Sequence, residues 1–205
     1  MRLGIFGGTF DPVHFGHLLL AECCREQCRL DLVWFVPNAV SPFKQNIKIT
    51  GTEHRVAMLS LAIAGHGAFE INQHELDRGG VSYTVETLEH FKKEDPSREL
   101  FFLMGGDSLV DLPEWREPGR ICELATIVAV RRPGMAELDF EALRNALTAE
   151  QIETIRQNVV EMPRVDLSAR EIRSLAAAGK SIRYRTPRAV EMYIQTQQLY
   201  GTARQ

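Results

Sequence analysis

The sequence has no apolar run approaching the ~20 residues that a membrane-spanning helix needs, so no span of that kind is expected. Nor is there a surplus of positive charge. A formal net charge of −3 gives no general attraction for nucleic acid, so an anion site must be a local gathering of donors. No CxxC pair occurs among the four cysteines, Cys23, Cys24, Cys28 and Cys122. Three of them crowd one predicted helix, where they cannot staple distant elements, and no secretory leader precedes the first strand. Reduced thiols packed as small hydrophobes, in a cytoplasmic protein, follow from that pattern. Repeats, low-complexity tracts and linkers are also missing. One domain over residues 1–205 is therefore expected, a length that buries roughly 70% of its unfolded surface and needs no staple.

What the chain does have is alternation. Short, nearly continuous apolar runs at 3–6, 32–36, 69–71, 100–104, 125–130 and 159–162 read as strands. Helices are predicted over 15–28, over 52–64 with Thr52 as cap, over 82–92 and over 140–156. Residues 72–80 read as loop. Ser168 and Glu171 have capping-box spacing, so a helix starts there and ends before Gly179. Thr186 and Pro187 read as the cap and first residue of a final helix. Such βα alternation implies an α/β fold, doubly wound, with a mainly parallel sheet and helices on both faces. Ligands on such sheets bind beyond the carboxyl ends of the strands. Gly7-Gly8, Gly105-Gly106 and Pro133-Gly134 mark those ends.

The first strand-to-helix turn, Gly7-Gly8-Thr9-Phe10-Asp11-Pro12-Val13-His14-Phe15-Gly16-His17, combines free amides with the positive end of a helix. It is neither a P-loop nor a GxGxxG fingerprint. His14 and His17 are the candidate donors, three residues apart where the helix begins. Spacing alone leaves three readings open: phosphate contact, histidines satisfied by local carbonyls, or half of a metal site. Companion residues at metal-ligand spacing are not evident, so direct protein ligands to a metal are not expected.

The run from Gly8 to His17 resembles the G-x-F-D-P-x-H-x-G-H signature of the HxGH nucleotidyltransferase superfamily. Leu167-Ser168-Ala169-Arg170-Glu171-Ile172-Arg173 resembles its second signature, I-S-S-T-x-I-R, with Ala169 and Arg170 in place of Ser and Thr. The resemblance implies a Rossmann-like fold that binds ATP over Gly7, Gly8, Thr9, Phe10, Gly105, Asp107, Ser168 and Arg170. It implies catalytic donors at His14, His17, Arg173 and Lys44, Mg²⁺ as cofactor, and residues 166–205 completing the ATP site.

Ser82-Tyr83-Thr84, Met104-Gly105-Gly106-Asp107, Pro113-Glu114-Trp115 and Val130-Arg131-Arg132-Pro133-Gly134 are similar to the bacterial nicotinate-nucleotide adenylyltransferases. That likeness implies adenylyl transfer from ATP to nicotinate mononucleotide. Trp115 would stack on the ring and amides near Thr84 would take its carboxylate, with Tyr83, Arg116 and Arg132 completing the acceptor site. Arg116 stands where the family often has Tyr, and Phe43 where a His usually precedes the lysine. Nucleic-acid and membrane partners are not expected, and homo-oligomerisation is left open by the sequence.

Overall fold

The computed structural model describes residues 1–42, 49–131 and 138–201. Among these, six strands form one sheet: β1 (Arg2–Gly8), β2 (Leu32–Pro37), β3 (Phe69–Ile71), β4 (Glu99–Gly105), β5 (Thr126–Arg131) and β6 (Val159–Glu161). Every pairing is parallel and the order is β3-β2-β1-β4-β5-β6. The strand order reverses between β1 and β4, where Ile5 sits opposite Phe102. Loops leaving these two strands diverge and open a crevice at their carboxyl ends.

Both faces of the sheet are covered, which explains the continuous apolar strands. On β4, Phe101 and Leu103 enter one core while Leu100, Phe102 and Met104 enter the other. The first core is closed by α1 (Phe15–Gln27), α2 (Thr52–Ile63), α8 (Ala169–Ala177) and α9 (Arg188–Thr196). The second is closed by α4 (Thr84–Glu94), α6 (Pro118–Leu124) and α7 (Ala149–Gln157). The cysteines are free thiols; burial pushes the Cys24 thiol well above its ordinary range and Cys122 up to about 11. No helix among the described residues is long and apolar enough to cross a membrane.

Several local expectations are corrected. Thr52 is the first residue of α2, and Gly51 takes the cap position. The predicted loop at 72–80 contains α3 (His74–Arg78). The single helix expected over 140–156 is a 3-10 turn, Ala142–Asn145, followed by α7. Thr148 divides them: its hydroxyl accepts from the Gln151 amide at 3.2 Å while Gln151 Oε1 accepts from its own N–H at 3.0 Å, a full capping box. Ser168 makes half of such a box, accepting from the Glu171 amide at 3.2 Å; the Glu171 carboxylate turns to Arg185 instead. Thr186 does not cap the last helix. It is 1% exposed and donates to the Val13 carbonyl at 2.8 Å, so Pro187 takes the cap position.

Candidate active site

The turn after β1 carries the two histidines onto the start of α1. Their rings stack with centroids 3.7 Å apart and planes 19° from parallel. The His14 N–H donates to His17 Nδ1 at 3.2 Å. A ring nitrogen that accepts carries no proton, so His17 is held as the Nε2–H tautomer, with that nitrogen as its donor. His14 is 5% exposed. Gly16 makes the stack feasible: a Cβ there would sit 3.0 Å from His14 Nδ1.

Below the histidines the turn is anchored by a set of residues that includes two to which sequence reasoning gave no role, Arg55 and Tyr200. Asp11 is buried; its Oδ2 accepts from the Thr50 amide at 3.1 Å. Tyr200 donates to its Oδ1 at 2.5 Å, and Arg173 Nη1 donates to its carbonyl at 2.6 Å. Arg55, 1% exposed, donates to the carbonyls of Thr9 at 2.9 Å, Asn38 at 2.9 Å and Thr50 at 3.2 Å. Burial lowers the pKa of its guanidinium, and the Asp11 charge works against that shift. One signal for Arg55 was present in the sequence. It shares helical spacing with Met58 and Leu59 on the buried stripe of α2, a place where an arginine needs a reason.

Phe10 enters the core with Phe6 and Phe35, its ring edge-on to His17 with centroids 5.2 Å apart. Buried to 2% exposure, its side chain is committed to the core and leaves its main chain for a ligand. Gly105 ends β4, and a Cβ there would meet nothing within 4 Å. Asp107 is exposed in the first turn of α5 (Gly106–Asp111), whose cap is Gly105. Ser168 and Arg170 are exposed at the start of α8. Lys44 and Arg132 lie outside the described residues.

A cleft of about 370 Å³ opens at the switch point, lined by Gly7, Gly8 and Thr9 together with Tyr83, Thr84, Trp115 and Arg116. His14, His17 and Arg173 are not in its wall; the Gly7–Thr9 stretch joins the two regions. Trp115 packs edge-on against Phe102, centroids 5.8 Å apart at 82°. Arg116 lies over the Tyr83 ring at 4.8 Å and donates to Glu86 at 2.7 Å. Arg78 donates to the other Glu86 oxygen at 2.7 Å. The second wall of the cleft is thus an arginine lying on a tyrosine and held by a shared carboxylate.

Residues 5–175 match the family model described as cytidylyltransferase-like. The probable nicotinate-nucleotide adenylyltransferase of Thermomicrobium roseum is 44% identical over 98% of this chain and 92% of its own length. That of a Roseiflexus species is 43% identical over 97% of each chain. Among solved structures, the Plasmodium falciparum nicotinic acid mononucleotide adenylyltransferase complexed with NaAD superposes with a TM-score of 0.76 at 18% identity, over 97% of both chains. At that identity the likeness speaks for the fold.

Proposed function

The chain belongs to the nicotinate-nucleotide adenylyltransferases, within the cytidylyltransferase-like family, and from that premise we propose that it adenylates nicotinate mononucleotide with ATP. The products are nicotinate adenine dinucleotide and pyrophosphate. The stacked histidine pair beside the cleft carries this reading. It is supported by the P. falciparum neighbour, whose complex holds NaAD.

A phosphate oxygen of the acceptor forms the new bond to the α-phosphorus of ATP, and the bond from that phosphorus to pyrophosphate breaks. The attacking oxygen is already anionic at neutral pH, so no general base and no covalent enzyme intermediate is needed. Catalysis comes from alignment and from neutralising charge that builds on the transferred and leaving phosphates. His17 donates through Nε2, the nitrogen that its hydrogen bond to His14 leaves protonated. His14, Lys44 and Arg173 supply the other donors. Arg173 already spends one N–H on the Asp11 carbonyl, which aims the rest of its fork from α8 towards the first loop. Residues 166–205 thereby complete the ATP site within one domain over residues 1–205.

Within the cleft, Trp115 offers a flat face to the pyridinium ring, and the open amides at the start of α4 suit its carboxylate. Mg²⁺ would arrive with the triphosphate, whose oxygens suit it, because the N–H donors named above do not ligate it. It keeps most of its waters and asks little of the protein, and the exposed Asp107 would be the carboxylate to hold one such water. Bound with the triphosphate, it supplies further neutralising charge.

The test compares pyrophosphate release with ATP, Mg²⁺ and each of nicotinate mononucleotide, nicotinamide mononucleotide and phosphopantetheine. The expected result is the highest kcat/KM with the first. A preference for either of the others reassigns the acceptor, and ATP binding without release from any of them removes the enzymatic reading.

A further inference from the structure

Three carboxylates line the acceptor cleft, Glu75, Asp111 and Glu114, and of these only Glu75 is buried. Glu75, in the first turn of α3, is 6% exposed and lines the cleft. Thr87 Oγ1 donates to its Oε1 at 2.7 Å, and the buried Ser82 hydroxyl lies close enough to pull its pKa down. The Ser82 hydroxyl is fixed in direction. It accepts from the Ala39 amide at 3.1 Å, leaving its own proton for Glu75. The adjoining backbone is tied to the same place, since the Ser82 N–H donates to the Val40 carbonyl at 2.9 Å. Glu75 therefore joins three pieces of chain: the exit of β2, the residue before Tyr83, and the first turn of α4.

A carboxylate is expensive here. Burial pushes its pKa up, and the two hydroxyls pull it back. What it provides is acceptance only. The Thr87 hydroxyl must therefore point inward as a donor. Without it, the Thr87 hydroxyl has a second acceptor 3.4 Å away, the Tyr83 carbonyl, a helical back-bond that bends the turn. Tyr83 is the cap position of α4, so its geometry sets where the first free amides of the helix aim.

Building on the proposed reaction, we infer that Glu75 is a positioning residue for the acceptor. Through Ser82 and Thr87 it fixes the Tyr83–Thr84 turn and so sets affinity for the nicotinate carboxylate without touching the phosphates. The experiment is steady-state kinetics of the wild type, Glu75→Gln, Thr87→Val and Thr87→Ser, with thermal unfolding of each. Glu75→Gln and Thr87→Val should raise KM for nicotinate mononucleotide about tenfold, with kcat and KM for ATP within roughly twofold to threefold of wild type. Thr87→Ser, which keeps the donor, should restore the wild-type KM. An unchanged acceptor KM, or kcat and both KM values failing together, overturns the role. If Glu75→Gln does not fold, the Thr87 pair decides the question alone. A wild type that makes no product from nicotinate mononucleotide overturns the reaction and this inference with it, whereas normal wild-type turnover with unaltered variants overturns only the inference.

Discussion

The Tyr200 hydroxyl donates to Asp11 Oδ1 at 2.5 Å across a sequence separation of 189 residues. Asp11 opens the segment that leads into His14, so the end of the described chain holds the beginning of the site. Tyr200→Phe removes one donor from a buried carboxylate, a loss of about 2 kcal/mol. The melting temperature should fall by roughly 4–8 °C, and kcat should drop about tenfold as Arg173 and the histidine turn lose register. Calorimetry and turnover measurements on the purified variant check both, and an unshifted melting curve would refute the anchoring role.

Gly16 tests the stacked pair by crowding. A methyl group there meets His14 Nδ1 at 3.0 Å and Cε1 at 3.1 Å, tighter than ordinary van der Waals contact. Gly16→Ala should keep the fold and lose about tenfold in kcat, because His14 is pressed out of the stack. His17→Ala, which removes a donor outright, should lose ~10²–10³. Near-normal turnover in His17→Ala at saturating substrate would remove the histidines from the mechanism.

Arg55→Lys separates shape from charge. The guanidinium reaches three carbonyls in three segments; an ammonium is a single point and cannot span them. Stranding buried acceptors costs about 3 kcal/mol, so melting should fall by roughly 6–12 °C. A lysine variant as stable as wild type would mean that positive charge alone suffices.

Glu75 carries a pH signature in stability. Burial raises its folded pKa above the ordinary value of 4.5. The stability gained by burying it neutral is present below that ordinary value and lost as pH rises through the raised folded one. Gln does not titrate. The melting temperature of wild type minus that of Glu75→Gln should therefore decrease as pH is raised from about 4 towards neutrality. A pH-independent difference would show that Glu75 ionises in the fold as readily as in the unfolded chain.

Local features were legible in the sequence in proportion to how locally they are determined. Residues 100–104 read as a buried strand because every position is apolar and glycines follow, and β4 lies there with one residue added at each end. His14 and His17 read as a pair because helical spacing alone brings them together. The Thr148–Gln151 box was also written in the chain, but apolar periodicity across 140–156 masked the break. By contrast, α3 is five residues long, too short to show a period. Thr186 looked like a cap because its preferred local partner is an amide; its actual partner, the Val13 carbonyl, lies 173 residues away. No spacing rule reaches that far. Arg116 could be named as a departure from the family, yet its lie over Tyr83 and its sharing of Glu86 with Arg78 depend on how α3, α4 and the Trp115 segment converge.

The long-range ties to the first loop also impose an order on biosynthesis. By the time residue 131 has been made, all but the last strand of the sheet exists and the histidines have been in place since the first turn. Yet Asp11 and Val13 still wait for Arg173, Thr186 and Tyr200. A nascent chain can therefore assemble most of its sheet while its phosphate donors remain unanchored. Competence for ATP comes only once Arg173, Thr186 and Tyr200 have been made.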